Sequence, residues 1–394
     1  MRLLYIHERF GSLGGAEANV FATAWALKKR GHAVGLVTRK KTGREEPEWA
    51  ALFEGGVFFP SSISVWRELL EKFRPDAVYV HKWEELDSIK FLLGADVPLV
   101  RMVHDHDLYC LRSYKYNPLT RRICTRPATG YCVFPCLAPL KRNREGGLPF
   151  KLVSYRAKVR EIELNRRFDH HLVASEYMRH ELLINGFGNE RIETLPPVPP
   201  PVEPLRSSFG PRNLLVYAGQ IIRGKGVDVL LRALQKAREP FEAVIAGDGT
   251  HRAHCERLSR KLGLEGRVKF LGFVTQKELA SYYKEATAVL VSSVWPEPFG
   301  LVGLEAMRCG LPVVAFGVGG IGDWLQDGEN GFLIPWMDAG SYAAAIDRLL
   351  RDKALARAMG EKGLERVSRD YDFDRYISNL ENLFERVVRE ERPS

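Results

Sequence analysis

The sequence predicts an α/β protein built from two doubly wound parallel sheets. Short apolar runs alternate with helix-length amphipathic segments along both halves of the chain. A proline-dense stretch separates the two halves. With 45% hydrophobic residues in 394 positions, each half can bury a core of its own. We therefore expect two Rossmann-like domains that face each other across a cleft.

The first half opens with an apolar strand, expected at residues 3–6, which runs into a glycine-rich loop. An amphipathic helix follows at 16–30, and Gly31 suits its C-terminus. The alternation continues with further strands, expected at 33–37, 76–80, 98–103 and 170–174. The first domain is therefore predicted to span residues 1–195.

Six prolines between positions 196 and 204 exclude a helix or a central strand and predict an extended linker at 196–211. After it the alternation restarts, which predicts a second domain at 212–371. A last helix, at 372–391, carries apolar residues at helical spacing that suit packing back onto the first domain.

The formal net charge of +9 is concentrated in one segment. Residues 110–167 hold 14 Lys or Arg against three Glu, a net charge of +11. Such a segment attracts a bilayer surface, a phosphate-bearing acceptor or nucleic acid, unless it is simply a solvated face. The sequence has no nucleic-acid-binding motif, no run of about 18 apolar residues and no signal-peptide layout. We expect a cytoplasmic protein. The basic segment adds the expectation of peripheral contact with the inner face of the membrane.

Two glutamates, Glu297 and Glu305, follow an apolar strand and are separated by seven residues. A helix that begins near Gly300 would place Glu305 two turns behind Glu297 on roughly the same side. The backbone N–H groups at that helix start suit a diphosphate, and the carboxylates suit sugar and ribose hydroxyls. The alternative is a surface turn with two solvated glutamates.

With its neighbours, this motif resembles the donor-binding region of the retaining group 1 (family 4) glycosyltransferases of the GT-B fold. The similar run extends over residues 292–333. Gly-Gly-Ala-Glu at 14–17, Lys-Gly-Val-Asp at 225–228 and Gly-Asp-Gly at 247–249 also fit that family. The resemblance spans nearly the whole chain.

The resemblance implies a role for each matching residue. Glu297 would contact hydroxyls of the donor sugar, Glu305 the ribose, and Lys225 the diphosphate. Residues implied to approach the donor chiefly through their backbone are Gly14, Gly15, Gly247, Phe299, Gly300 and Leu301. The family commonly has an arginine as a second cation where this chain has Gln220, and Arg223 is the candidate substitute. No catalytic metal is expected, because Arg, Lys and helix dipoles stabilise the departing diphosphate in this class.

His104 follows the predicted strand at 98–103, at the sheet edge where α/β proteins place ligands. By resemblance it is the catalytic candidate in this half, together with Lys225 and Glu297 in the other. Two alternatives remain open: a structural histidine, or a metal motif made by Asp105 and Asp107. His81, at the end of the preceding strand, is a second cleft candidate.

Four of the six cysteines lie within 27 residues, at Cys110, Cys124, Cys132 and Cys136. The last pair has zinc-ligand spacing and the other gaps are wider. The sequence predicts a structural zinc site here, with unlinked thiols and disulfides as the alternatives.

These observations predict a retaining glycosyltransferase that moves a sugar from a nucleotide-sugar donor to a hydroxyl of a glycan or lipid-linked acceptor. Glycan, glycolipid or cell-envelope polysaccharide synthesis is the expected setting. The alternatives are a GT-B epimerase or phosphorylase, and a basic module that binds membranes or nucleic acid.

Overall fold

The computed structural model describes residues 1–117, 120–142, 150–201 and 206–391. The chain divides into two compact units. Unit 1 comprises Met1–Tyr114, Thr125–Pro200 and Phe373–Ser394, and unit 2 comprises Lys115–Cys124 and Pro201–Asp372. Of the linker predicted at 196–211, residues 202–205 lie outside the described residues.

The strands are β1 (Arg2–Ile6), β2 (Arg9–Phe10), β3 (Ala33–Val37), β4 (Lys40–Lys41), β5 (Val57–Phe58), β6 (Ala77–Val80), β7 (Leu99–Val103), β8 (Leu140–Arg142), β9 (Phe150–Leu152), β10 (His170–Val173), β11 (Ile192–Thr194), β12 (Leu214–Ala218), β13 (Glu242–Ala246), β14 (Val268–Gly272), β15 (Ala286–Val291), β16 (Val313–Phe316) and β17 (Gly331–Ile334). The α-helices are α1 (Gly15–Lys29), α2 (Glu46–Leu52), α3 (Ile63–Phe73), α4 (Leu86–Leu92), α5 (Tyr155–Asn165), α6 (Glu176–Ile184), α7 (Val227–Lys236), α8 (Arg252–Lys261), α9 (Gln276–Glu285), α10 (Leu301–Arg308), α11 (Ala339–Arg351), α12 (Lys353–Asp370) and α13 (Phe373–Glu391).

Unit 1 is built on a seven-stranded parallel sheet with the order β11-β10-β7-β6-β1-β3-β5. The strand order reverses between β1 and β6. Its central strands are buried, as in β1, where residues 3–6 have no exposed surface. Such strands read as continuous apolar runs because helices cover both faces of a parallel sheet.

Unit 2 contains a six-stranded parallel sheet with the order β14-β13-β12-β15-β16-β17. Here the strand order reverses between β12 and β15. The two parallel sheets predicted from the alternation are confirmed, and predicted strand ends agree with the structure to within two residues. The agreement is close because each strand is a short apolar run that ends at a polar residue or a glycine.

Helix α13 belongs to unit 1, although unit 2 precedes it in the chain. Its buried Tyr376 accepts a hydrogen bond from Asn19 of α1 at 2.9 Å, and the ring of Phe384 packs edge-on against Tyr79 of β6. The segment Lys115–Cys124 differs from the predicted division, which assigned it to the first domain, because it packs within unit 2. Within the described ranges, no helix has both the length and the apolar character needed to cross a membrane.

Candidate functional site

In unit 2, the predicted site residues lie at the carboxyl ends of the two strands where the sheet order reverses. Lys225 lies in a 3₁₀ turn (Arg223–Lys225) after β12, and Glu297 lies in the loop after β15. β12 and β15 are hydrogen-bonded neighbours. Open α/β sheets bind ligands at this kind of reversal, because the following loops diverge and leave a crevice between them.

Lys225 and Glu297 form an ion pair in which Nζ lies 2.6 Å from Oε1. Trp295 donates from Nε1 to the same oxygen at 2.9 Å, and the Ser293 hydroxyl also donates to it. Burial opposes ionisation of Glu297, but Lys225 and the two other donors outweigh it and lower the pKa of this carboxyl. None of the described residues donates to Oε2, so one oxygen of a charged, fixed carboxylate remains available to a ligand hydroxyl.

Helix α10 begins directly after this loop, as the sequence predicts. Its N-cap, Gly300, has φ 95°, a left-handed conformation that favours glycine. The carbonyl of Phe299 accepts a hydrogen bond from the Trp324 indole at 2.6 Å, which fixes the start of the helix that continues through Leu301. The free N–H groups of that first turn suit an anion.

Glu305 lies on the second turn of α10 and is half-buried. Burial raises its pKa to about 7, with Arg308 acting in the opposite direction. Among the described residues, no donor hydrogen-bonds to its carboxyl group. A hydroxyl donor from a ligand would favour the charged form of this carboxyl.

Two backbone turns line the same edge of the unit 2 sheet. Gly247 follows β13 with φ 138°, and a Cβ atom there would lie 1.9 Å from the carbonyl oxygen of Gly219, so no larger residue fits. Gln220 is exposed, and its carbonyl oxygen accepts a hydrogen bond from Tyr217 at 2.9 Å. Arg223 is exposed and lies in the same 3₁₀ turn as Lys225.

In unit 1, the corresponding edge carries a charged cluster beside the start of α1, where Gly14 and Gly15 are exposed. Glu17, in the first turn of α1, is buried and accepts from His7 Nε2 and Arg9 at 3.2 Å each. Burial opposes its ionisation, but His7 and then Arg9 lower the pKa of Glu17 to about 2. His7, Arg9 and Glu17 were not singled out individually by the sequence analysis.

His104 and His81 form a hydrogen-bonded pair of imidazoles at the ends of β7 and β6. His81 Nδ1 lies 2.7 Å from His104 Nε2, and the rings stack at 5.0 Å. Burial lowers the pKa of the His81 ring and the pKa of the His104 ring. The pKa of His104 falls to about 3, and the charges of His7 and Lys82 contribute to that decrease. At neutral pH both rings are neutral, so one nitrogen of the contact carries the proton and the other accepts it.

Asp105 and Asp107 are held by a lysine. Lys82 Nζ lies 2.5 Å from Asp105 and 2.8 Å from Asp107. The proximity of both carboxylates raises the pKa of Lys82 against its burial. The metal-motif alternative for this pair is therefore disfavoured, because an ammonium group already bridges the two carboxylates.

The four clustered cysteines do not form a ligand set in the part of the chain that is described. Cys124 lies in unit 2, whereas Cys110, Cys132 and Cys136 lie in unit 1. The Sγ atom of Cys136 accepts from Arg112 Nε at 3.5 Å. These thiols are not among the groups of three ligand-type side chains within 4.8 Å of one another in the described residues, so the structural zinc stays a prediction. Across the described ranges, the one group of three ligand-type side chains within 4.8 Å is Asp228, His251 and His254.

Three described cations of the basic segment at 110–167, namely Lys115, Arg121 and Lys158, are buried rather than solvated. Arg121 is buried in unit 2, with its guanidinium 2.8 Å from Asp228 Oδ2. Lys158 is buried in unit 1, where it pairs with Glu161 at 2.5 Å. The prediction that the whole basic segment lies in the first domain is therefore corrected for Arg121, and positions 143–149 of the segment lie outside the described residues.

Comparison with protein-family models gives two matches that together span most of the chain. The model described as Glycosyl transferases group 1 matches residues 206–366. The model described as Glycosyltransferase Family 4 matches residues 13–198. The first contains Lys225, Glu297 and Glu305, and the second contains Glu17, His81 and His104.

Curated relatives are similar to part of the chain. An uncharacterised glycosyltransferase of Methanocaldococcus jannaschii is 34% identical over 184 residues, which are 45% of this chain and 47% of the relative. A D-inositol 3-phosphate glycosyltransferase of Salinispora tropica is 35% identical over 191 residues, 45% of this chain and 39% of the relative. These matches thus cover less than half the length of either relative.

Solved structures are similar over nearly the full length. Anabaena Alr3699/HepE in complex with UDP and glucose has a TM-score of 0.74 at 18% identity, covering 98% of this chain and 100% of that one. Sucrose-phosphate synthase from Thermosynechococcus elongatus has a TM-score of 0.72 at 19% identity, covering 99% of each. At these identities the likeness concerns the fold, and it confirms the predicted GT-B fold.

Proposed function

Because the chain belongs to the group 1 (family 4) glycosyltransferases, we propose that it transfers a sugar from a nucleoside-diphosphate sugar to an acceptor hydroxyl with retention of configuration. The observation that carries this proposal is the ion pair of Lys225 with the buried Glu297 at the strand-order reversal of unit 2. The Glu297 carboxylate is fixed in place and can accept from sugar hydroxyls, and the Lys225 ammonium group can bind a diphosphate. The two groups are hydrogen-bonded to each other, so both functions would fall at one site.

The remaining donor roles follow the same chemistry. The N–H groups at the start of α10, from Phe299, Gly300 and Leu301, are proposed to bind the phosphates or the sugar, and Glu305 the ribose. Gly247 and Gln220 line the nucleotide side with backbone. Arg223 is proposed as the second cation on the diphosphate, in place of the family's arginine. Gly14 and Gly15 would let the α1 N-terminus approach a phosphate.

His104 is proposed to stabilise the oxocarbenium-like transition state through its ring or its carbonyl oxygen. A neutral imidazole suits this role, because an imidazolium would repel the positive charge that develops on the sugar. The leaving diphosphate is stabilised by Lys225, Arg223 and the α10 N-terminus, so the proposed reaction needs no metal ion. The departing phosphate then helps to deprotonate the acceptor hydroxyl, without a covalent enzyme intermediate.

The test is a donor screen with UDP-, GDP-, ADP- and dTDP-sugars in the presence of EDTA. We expect one nucleotide class to raise the unfolding temperature and to support transfer to an added acceptor without a divalent metal. Complete loss of activity in EDTA that Mg²⁺ restores would contradict the metal-independent mechanism. Conversion of the donor without transfer to any acceptor would favour an epimerase, and phosphate-dependent cleavage would favour a phosphorylase.

We further propose a lipid-linked or glycan acceptor used at an anionic membrane surface, in glycolipid or cell-envelope polysaccharide synthesis. Half of the exposed large apolar side chains of the described residues lie between 131 and 152. They are Tyr131, Val133, Phe134, Leu137, Leu140 and Leu152. This apolar group lies within the basic segment at 110–167, and apolar groups with neighbouring cations are typical of surfaces that bind bilayers.

Vesicle binding tests this second proposal. Phe134 is 77% exposed and Leu152 is 81% exposed. Replacing both by serine should weaken binding to anionic vesicles at least about tenfold, because each side chain contributes on the order of 2 kcal/mol when it is buried in lipid. Phe273→Ser is the matched control, since Phe273 is also 77% exposed but lies in unit 2. Equal binding of wild type to neutral and anionic vesicles, or an unchanged double variant, would direct the acceptor search to soluble sugars.

A further inference from the structure

A short loop, Lys115–Cys124, belongs to unit 2 although the chain on both sides of it belongs to unit 1. Backbone hydrogen bonds close its ends: Cys124 N donates to Lys115 O at 2.7 Å, and Asn117 N donates to Arg122 O at 2.9 Å. Arg121 is only 8% exposed and has φ 61°, which is uncommon for a residue other than glycine. A residue as large as arginine keeps that backbone conformation only where the surrounding structure holds it in place.

The first contact of this loop reaches the Lys225 side of the donor site. Arg121 Nη2 lies 2.8 Å from Oδ2 of Asp228, in the first turn of α7 and three residues after Lys225. The side chains of the pair are only 10% and 13% exposed. Asp228 Oδ1 is buried without a hydrogen-bond partner and lies 3.9 Å from His251 Nε2. Arg121 is therefore the principal group that neutralises and orients Asp228.

The second contact reaches the Glu297 side. Tyr116 is buried, and its ring packs edge-on against Trp295 with 6.5 Å between centroids. Trp295 in turn donates to Glu297, and Lys225 Nζ lies over the indole ring at 5.5 Å. The backbone of Trp295 also donates to the Gly224 carbonyl, in the turn that carries Lys225. Arg121 and Tyr116 thus contact Asp228 and Trp295, which lie close in the chain to Lys225 and Glu297 respectively.

We propose that Arg121 and Tyr116 position the donor site, with Arg121 acting through Asp228 and Tyr116 acting through Trp295. This inference rests on the proposed function, since it assigns a role within that site. Arg121 is a positioning residue, because it contacts Asp228 rather than a substrate. Its loss would leave a buried carboxylate unpaired near Lys225 and would lower the positive charge available to a diphosphate by one unit.

The direct test is Arg121→Gln, measured by nucleoside-diphosphate binding and by donor kinetics. We expect the Kd for the diphosphate and the KM for the donor to rise about tenfold, with kcat changed much less, because the lost charge acts mainly on donor binding. Arg122→Gln is the matched control, since Arg122 is exposed on the same loop and should leave both values unchanged. Arg121→Lys, which keeps the charge, should recover part of the affinity.

A double-mutant cycle separates positioning from general destabilisation. Asp228→Asn combined with Arg121→Gln removes the unpaired charge, so the double variant should bind the diphosphate better than Arg121→Gln alone. It also provides a folded reference if the single variant is unstable. Equal affinity of wild type, Arg121→Gln and Arg122→Gln would overturn the proposal, as would additive effects in the cycle. A wild-type protein that binds no nucleoside diphosphate would instead overturn the proposed function.

Discussion

Replacement of Glu297 by glutamine is expected to abolish most sugar transfer while the protein stays folded. The amide oxygen can still accept from Ser293 and Trp295, and Lys225 is 25% exposed and can be solvated. What is lost is the negative charge that is proposed to lie beside the donor sugar. We expect a loss of about 2–4 kcal/mol of transition-state stabilisation, read as a fall in kcat/KM.

Lys225→Ala should have an effect of similar size, because it removes the ammonium group proposed to bind the departing diphosphate. Glu242→Gln is a suitable control for both variants, since Glu242 is an exposed glutamate of the same unit, at the start of β13. Unfolding temperature and circular dichroism establish that each variant is folded. Near-normal turnover of folded Glu297→Gln or Lys225→Ala would remove the main site assignment.

The positions of the site residues along the sheet edges could be predicted because each follows an apolar strand. Parallel strands bring their carboxyl ends to one edge, so Lys225 and Glu297 are expected near each other once β12 and β15 are recognised. His81 and His104 were singled out by the same rule. Applied to the strand that ends at Ile6, the rule would also have found His7, which lies between the sheet and the first turn of α1.

Contacts between distant segments could not be predicted in this way. Arg121 and Asp228 are 107 residues apart, and a charge count cannot distinguish a solvated arginine from one buried against a carboxylate. The spacing of Cys132 and Cys136 predicts a zinc site in a similar way. Spacing along the sequence does not show whether the fold brings the cysteine thiols together. Ser293 and Trp295 flank Glu297 closely enough that their roles could have been anticipated from the strand-end loop alone.

A variant of His104 tests the transfer step separately from donor binding. His104→Ala should lower kcat by about 10²–10³-fold, on the scale found when one group that stabilises a transition-state charge is removed. Nucleoside-diphosphate affinity should stay close to that of wild type, because the residues proposed to bind the diphosphate lie in unit 2 whereas His104 lies in unit 1. His180→Ala, at an exposed histidine of α6, is the matched control.

The pH profile supplies a second measurement on the same residue. Because burial lowers the pKa of His104 to about 3, the ring is neutral throughout the range from about pH 6 to 8, and its protonation should add no inflection to kcat there. A wild-type inflection near pH 6.5 that disappears in His104→Ala would show that the ring titrates and would contradict the neutral pair with His81. Full kcat in His104→Ala would leave only the backbone carbonyl of this residue as a stabilising group, since alanine retains it.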